Sequence, residues 1–172
     1  MIRTKRLYLP CTIFLFVLSV STFNLKAQNI QQSNAINLFE SNLDAFEARV
    51  WDARTIWEQT AAELKSTANP STLYNQLSQL RNKYNGMSSF IFQLRYYANA
   101  LNNTTLIRGV SELHSQQISG QNATIIALDA LSSGTLITQH LIPIEASLLE
   151  MLRVTNDCLR REIQVIRRNN RQ

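Results

Sequence analysis

The side chains best suited to catalysis or metal binding are few and widely spaced. His114 and His140 are 26 residues apart, and neither has a cysteine or histidine partner at the spacing of a metal site. Glu145 and Glu150 are five residues apart, which places them on different sides of a helix rather than as an acid–base pair. Metalloprotease, serine-hydrolase and phosphate-loop motifs are also missing from the sequence. These spacings predict a protein that is not an enzyme and that holds no metal or other cofactor.

A single cysteine remains as a candidate for redox chemistry if the N-terminal segment described below is removed. Cys158 stands between Asp157 and Leu159, beside an apolar stripe. It is either a half-buried, inert thiol or, in an oxidising compartment, one half of a disulfide between two chains.

A dense aromatic segment is the strongest candidate for a binding site. Four of its rings lie off the apolar row of their helix, and a tryptophan lies off the row of the preceding helix: Phe90, Phe92, Tyr96, Tyr97 and Trp51. Exposed aromatic side chains contribute much of the binding energy at protein interfaces. The segment therefore indicates either a partner-binding surface or a wider core beneath a third helix, and Trp51 is a second interface candidate.

The C-terminal end carries the one cluster of basic residues. Its members are Arg160, Arg161, Arg167, Arg168 and Arg171. Cations at a helix C-terminus are stabilised by the helix dipole. The alternative is contact with an anionic membrane surface or glycan.

The elements that must position these groups are two long amphipathic helices. Their apolar positions alternate at spacings of three and four residues, which is the heptad pattern of coiled coils. The rows are Ile36, Phe39, Leu43, Phe46, Val50, Ala53, Trp57, Thr60 and Leu64, then Leu73, Leu77, Leu80, Tyr84, Met87, Ile91, Leu94, Ala98 and Leu101. Asn69-Pro70 breaks the pattern, because proline excludes helical geometry from the preceding residue. Helices are therefore expected over about 33–67 and 71–102, joined as an antiparallel hairpin.

A third helical region is expected over about 105–168. Pro143 lies within it and should kink or restart the helix, so we place a bend near Gly134–Pro143. Beyond the bend the apolar spacing becomes an eleven-residue repeat, in Leu141, Leu148, Leu152, Leu159 and Ile163. With only 4 Gly and 3 Pro in 172 residues, the predicted fold is all-α: an extended, coiled-coil-like, antiparallel three-helix bundle with a kinked third helix.

The first 27 residues have the layout of a cleavable signal peptide. Three basic residues precede an uncharged apolar stretch over 7–20, and Ala27 is a small residue at the expected cleavage site. Residues 28–172 would then form a single helical domain, exported to the periplasm or the cell surface. The alternative is an uncleaved N-terminal anchor, although the apolar stretch is short for a membrane span.

Removing this segment changes the charge of the chain. The whole sequence has a net charge of +5, and residues 28–172, with 13 basic and 12 acidic residues, have +1. Residues 28–63 carry −4 and residues 153–172 carry +4. A nearly neutral exported chain favours protein or envelope partners, and we expect no nucleic acid partner.

The order of these features resembles the minor pilin, or pilus-tip, family of type IV secretion and conjugal transfer systems. The first shared feature is a signal followed by a segment rich in Asn and Gln: Gln28, Asn29, Gln31 and Gln32. The others are a Gln/Leu-rich second helix, with Leu73, Gln76, Leu77, Gln79 and Leu80, and a long last helical region. That region contains Ala130 and Gly134 in an Ala-x-x-x-Gly element and ends in arginines. The resemblance implies a non-enzymatic structural role in contact with other pilus subunits or envelope proteins.

Two further functions agree with the same features. A periplasmic chaperone or binding bundle would use the long hairpin and the exposed aromatics to hold other proteins. A secreted membrane-active effector would use the basic tail for peripheral membrane contact. A homo-oligomer is compatible with any of these functions.

Overall fold

The computed structural model describes the backbone of residues 9–170 and the side chains of residues 30–170. The helices are α1 (Leu9–Ser66), α2 (Pro70–Ala100), α3 (Thr104–Ser132), α4 (Ile142–Arg153) and α5 (Arg161–Asn169). A 3-10 turn over Thr138–Leu141 leads into α4, and a π-helical segment over Val154–Arg160 joins α4 to α5 without a break. No strand occurs between residues 9 and 170. The predicted all-α helical bundle is confirmed.

The number of arms differs from the prediction, because the chain reverses where a bend was expected. Gly134, at φ +70°, ends α3 with two backbone hydrogen bonds: Gly134 N–H donates to Leu131 and Thr135 N–H donates to Ala130. This is the Schellman arrangement, which turns a chain out of its helix. Pro143 then falls in the first turn of α4, where its missing N–H costs nothing. The region 105–168 is therefore two antiparallel arms, α3 and the α4–α5 arm, and the bundle has four.

The first helix also begins earlier than residue 33. α1 runs from Leu9, and its only proline before the bundle, Pro10, lies in the first turn. Among the side chains described, from residue 30 on, the first buried one is nevertheless Ile36, where the predicted apolar row begins. Residues 1–8 of the predicted signal peptide lie outside the described residues, as do the side chains of 9–27, so the signal peptide stays a prediction. Within residues 30–170, whose side chains the structure describes, no helical segment is long and apolar enough to cross a bilayer.

The two heptad rows form the centre of the core, as predicted. Every member of the α2 row from Leu73 to Ala98 is buried, and in the α1 row only Trp57 and Leu64 are half-buried. The Trp57 indole N–H donates to the Leu141 carbonyl at 3.0 Å, which ties α1 to the start of α4. Asn69 caps α2, since its side chain accepts from the N–H groups of Ser71 and Thr72.

The second half of α3 packs through small residues rather than through large apolar ones, whereas Leu106, Val110 and Leu113 of the first half are buried. Ile118 is exposed and Ile125, Leu128 and Leu131 are half-buried. The buried positions of the second half of α3 are Gln117, Gly120, Ala123, Thr124, Ala127 and Ala130. Short side chains let neighbouring helices approach closely. A search for large apolar residues therefore misidentifies the buried positions in this half of α3.

At Gly120, α3 lies close to both α2 and α4, since a Cβ there would overlap with Tyr84 and Ser147. The Tyr84 hydroxyl, from α2, lies 2.6 Å from Ser147 Oγ and donates to the Ile144 carbonyl at 3.1 Å, both on α4. The Gln117 amide donates to the Tyr84 carbonyl at 3.1 Å. Burial raises the pKa of Tyr84 well above its usual range, despite the hydrogen bond to Ser147, so the phenol stays neutral. A buried, satisfied polar layer therefore joins three helices at the middle of the bundle.

Truncation of the two heptad rows tests the core. Leu80→Ala and Phe46→Ala should each lower the free energy of unfolding by about 2–5 kcal/mol, because both side chains are fully buried. Chemical denaturation monitored by circular dichroism measures the change. Tyr96→Ala, on an exposed side chain of the same bundle, is the control. A near-zero effect of either core substitution would contradict the position of its row.

Gly120→Ala tests the close approach of α3 and α4. A Cβ at this position would overlap with Ser147 Oγ and the Tyr84 ring, so we expect a loss of about 1–3 kcal/mol in unfolding free energy. Gly86→Ala makes the same chemical change inside α2, where the nearest atom is Arg49 Nη1 at 3.9 Å. That control should gain about 0.5–1 kcal/mol, because alanine is the better helix former. Equal effects of the two substitutions would rule out a special role for Gly120.

Candidate interaction surface

The predicted aromatic segment divides into an outer and an inner pair. Phe92 is 73% exposed and Tyr96 is 64% exposed, and the two lie one turn apart on the outside of α2. Phe90 and Tyr97 are half-buried and pack against the core. Phe90 and Tyr97 therefore belong to the core, and a partner-binding role of the exposed Phe92 and Tyr96 stays a prediction.

The inner pair supports the position of the outer one. The Arg49 guanidinium of α1 lies 5.9 Å from the centre of the Phe90 ring, within cation–π range. The Tyr97 ring meets the Tyr96 ring edge-on, with centroids 5.2 Å apart. The exposed Tyr96 ring is thus held by a packed neighbour on a rigid helix.

Trp51 is exposed, but on a different face of the bundle. Its ring is 48% exposed and stacks with Arg54, whose guanidinium carbon lies 5.2 Å from the ring centre. Glu47, one turn earlier on α1, contacts Asn156 and Arg160 of the last arm. Trp51 therefore lies towards that arm, whereas Phe90 meets α1 at Arg49, on its α2 side. The structure does not join Trp51 to the α2 aromatics.

The charge around Phe92 and Tyr96 is not among the predicted features of the site, although its signal is in the sequence. Residues 64–111 contain five basic residues and no acidic one. Lys83 donates to Asp52 of α1 at 2.8 Å, but Arg81 and Arg95 are exposed and form no salt bridge in the described part of the chain. We call the outer side of α2, with Phe92, Tyr96, Arg81 and Arg95, the α2 outer face. The net charges of residues 28–63 and 153–172 do not include this face, because α2 lies between those two segments in the sequence.

The basic tail is largely neutralised within the bundle. Arg160 forms salt bridges with Asp44, at 2.7 Å, and Glu47, and Arg167 pairs with Glu40. Arg161 pairs with Asp157 on its own arm at 3.2 Å. Arg168 is exposed, and Arg171 lies outside the described residues. The negative segment 28–63 and the positive segment 153–172 thus pair with each other in part within the folded bundle.

The electrostatics at Glu47 show the strength of this pairing. Partial burial alone would raise the pKa of Glu47, but hydrogen bonds from Arg160 and Asn156 and the Arg160 charge outweigh it and hold the pKa below its usual range. The carboxylate is consequently stabilised in the folded protein.

The residues considered for catalysis remain apart. No three side chains of His, Cys, Asp and Glu come together as a metal site among the described residues. His140 lies in a shallow groove of about 360 Å³ with Ser119, Ile126 and Pro143, and its ring nitrogen accepts from the Ile137 N–H at 3.2 Å. Cys158 is half-buried in the π-helical segment, and the intermolecular disulfide stays a prediction.

No protein-family model, curated protein or solved structure matches this chain.

Arg160→Met tests the pairing of the tail with α1. Because the pKa of Glu47 is lower in the folded chain than in the unfolded one, its ion pair stabilises the fold above about pH 4.3. That contribution is lost as the pH falls through the folded pKa. The variant should therefore lose about 1 kcal/mol at pH 7, and its deficit should shrink towards pH 3.

Denaturant midpoints measured from pH 3 to pH 7 give this comparison. Arg161→Met is the matched control, since the Arg161–Asp157 pair is exposed and lies within one arm. A deficit of Arg160→Met that is constant across the pH range would contradict the assigned ion pair.

Proposed function

We propose that this protein is an exported, non-enzymatic structural subunit that works through protein–protein contacts made by the α2 outer face. The observation that carries the proposal is the pair of exposed rings, Phe92 and Tyr96, on a helix without a single acidic residue. Rings held outward on a rigid helix bury apolar area on binding at little conformational cost, because aromatic side chains have only two rotatable bonds. Burial of one such side chain contributes about 1.5–3 kcal/mol.

The composition of the face favours a protein as the partner. The centres of protein interfaces are enriched in tyrosine, phenylalanine and arginine, and depleted in lysine, aspartate and glutamate. The α2 outer face has this composition, since its one lysine neighbour, Lys83, is already paired with Asp52. Amide and hydroxyl side chains such as Asn85, Ser89 and Asn99 continue the row of exposed positions. A row of this kind is too polar to insert into a bilayer and suits contact with another protein surface.

The interior of the bundle supports a structural role. The heptad rows fill the space between the arms, and the central polar groups Tyr84, Ser147 and Gln117 bond to one another or to backbone. Groups engaged in this way hold the helices in register. The surface, rather than the core, is then where this protein acts.

Within this role, we place the protein in a type IV secretion or conjugal transfer apparatus as a minor pilus subunit. The signal-like first 27 residues, the amide-rich helices and the arginine-bearing last arm support this placement. The partners would be other pilus subunits or envelope proteins, met in the periplasm or at the cell surface. The pairing of Arg160 and Arg167 with α1 weighs against a tail that binds anionic membranes.

Transfer of DNA between cells tests this function. A host strain that lacks the gene should lose conjugal transfer, and the wild-type gene should restore it. The double variant Phe92→Ser/Tyr96→Ser should be exported at the normal level, since both side chains are exposed, yet transfer should stay at least tenfold below wild type.

Ile126→Ser is the matched control, because Ile126 is 59% exposed on α3 and lies beside Pro143 in the groove of His140, away from the α2 outer face. It should restore transfer fully. Normal transfer in the deletion strain would contradict the pilus assignment, and full rescue by the double variant would contradict the role of the α2 outer face.

A further inference from the structure

We infer that the α2 outer face of one copy of this protein docks on the outer side of α1 in a second copy. The inference rests on the proposed function, because it names the partner of the same face. It follows from the charge and the shape of α1 and α2, because the outer side of each helix complements that of the other.

The two helices carry opposite charge. Residues 28–63, which include the bundle part of α1, have six acidic and two basic residues, for a net charge of −4. Residues 64–111, which include all of α2, have a net charge of +5, and α2 itself contributes +3 of it. Lys83, Arg160 and Arg167 offset part of the α1 charge within one copy, so association is steered by the charged side chains that stay exposed on the two helices.

The charges are available at the surface. The side chains of Asp44, Asp52 and Glu58 are 60%, 60% and 56% exposed, although each takes part in a salt bridge within its own bundle. A carboxylate has about four acceptor sites, so each keeps free sites that point to solvent. Arg81 and Arg95, on the α2 side, have no salt bridge in the described part of the chain.

The shapes are complementary as well. Opposite its buried row, α1 presents an exposed row at alternating spacings of four and three residues: Ser41, Ala45, Ala48, Asp52, Thr55, Gln59 and Ala62. Most of these side chains are small, so the row is shallow. The exposed row of the α2 outer face has the matching spacing, and two of its five positions carry large rings: Asn85, Ser89, Phe92, Tyr96 and Asn99. Helical rows with this spacing pack ridge into groove at a shallow crossing angle.

The two faces differ, and this determines how the assembly grows. A contact between unlike faces leaves one free face of each kind at the ends, so it continues into a ring or a filament. A symmetric α2–α2 contact would instead place Arg81 and Arg95 of two copies close together, where like charges repel. The geometry therefore favours head-to-tail assembly over a closed dimer.

Mixing of two blocked variants tests this arrangement. Phe92→Ser/Tyr96→Ser removes the α2 half of the contact, and Ala48→Arg places a long cation in the α1 row. All three positions are exposed, and circular dichroism checks that both variants stay folded. The protein is purified in the form that its host accumulates and is measured by light scattering and sedimentation at about 100 μM, in low and high salt.

Wild type should form species larger than a dimer in low salt and return towards the monomer in high salt, because the contact is charge-assisted. Each variant alone should be monomeric, and an equimolar mixture should stop at a dimer, since one intact face of each kind remains. A monomeric wild type in low salt, a closed wild-type dimer, or a mixture that stays monomeric would overturn the inference. A monomeric wild type together with the transfer defect of the α2 variant would leave the proposed function standing.

Discussion

The close approach of three helices at Gly120 is the constraint on which the rest of the bundle depends. Tyr84 is fully buried, yet it carries a hydroxyl that must find a partner in an apolar core. It finds Ser147 and the Ile144 carbonyl only because Gly120 leaves room for its ring between α3 and α4. This one layer fixes the register of α2, α3 and the last arm, because a slip of one residue would leave a buried hydroxyl without a partner.

A fixed register has consequences at the surface. Along the α1 side of the last arm, Arg160 meets Asp44 and Glu47, and Arg167 meets Glu40, so two arginines of the basic tail are paired within the molecule. The arginines of α2 receive no such partners in the described residues. Among the described residues, exposed arginines without a salt bridge therefore lie on the α2 outer face, at Arg81 and Arg95, as well as at Arg168 of the last arm.

Periodicity alone was enough to predict the helices that bury large apolar side chains. The rows from Ile36 and from Leu73 fix two arms, and their burial follows from a spacing that a helix must place on one face. The third and fourth arms were harder to predict, because the second half of α3 packs through Gly120, Ala123 and Ala127, and a search for large apolar side chains does not detect such positions. The reversal at Gly134 depends on a single positive-φ residue, which reads in sequence as a kink or as a turn equally well.

The candidate site was predictable in part for similar reasons. The density of rings from Phe90 to Tyr97 indicated a special segment, but which rings face outward depends on the directions of α1 and α3, which only the fold supplies. The absence of acidic residues over 64–111 could have been read directly. It gains meaning only once four acidic residues of α1 are seen to pair with the last arm and with Lys83, which leaves Arg81 and Arg95 without a salt bridge in the described residues.

The central claim is that this protein acts through the α2 outer face, and crosslinking from that face in living host cells tests it most directly. A photoreactive amino acid at position 92 should form discrete adducts, either with a second copy or with a pilus or envelope subunit, while the same group at position 126 should form none. Adducts of equal yield from both positions, or adducts from position 126 alone, would contradict the claim.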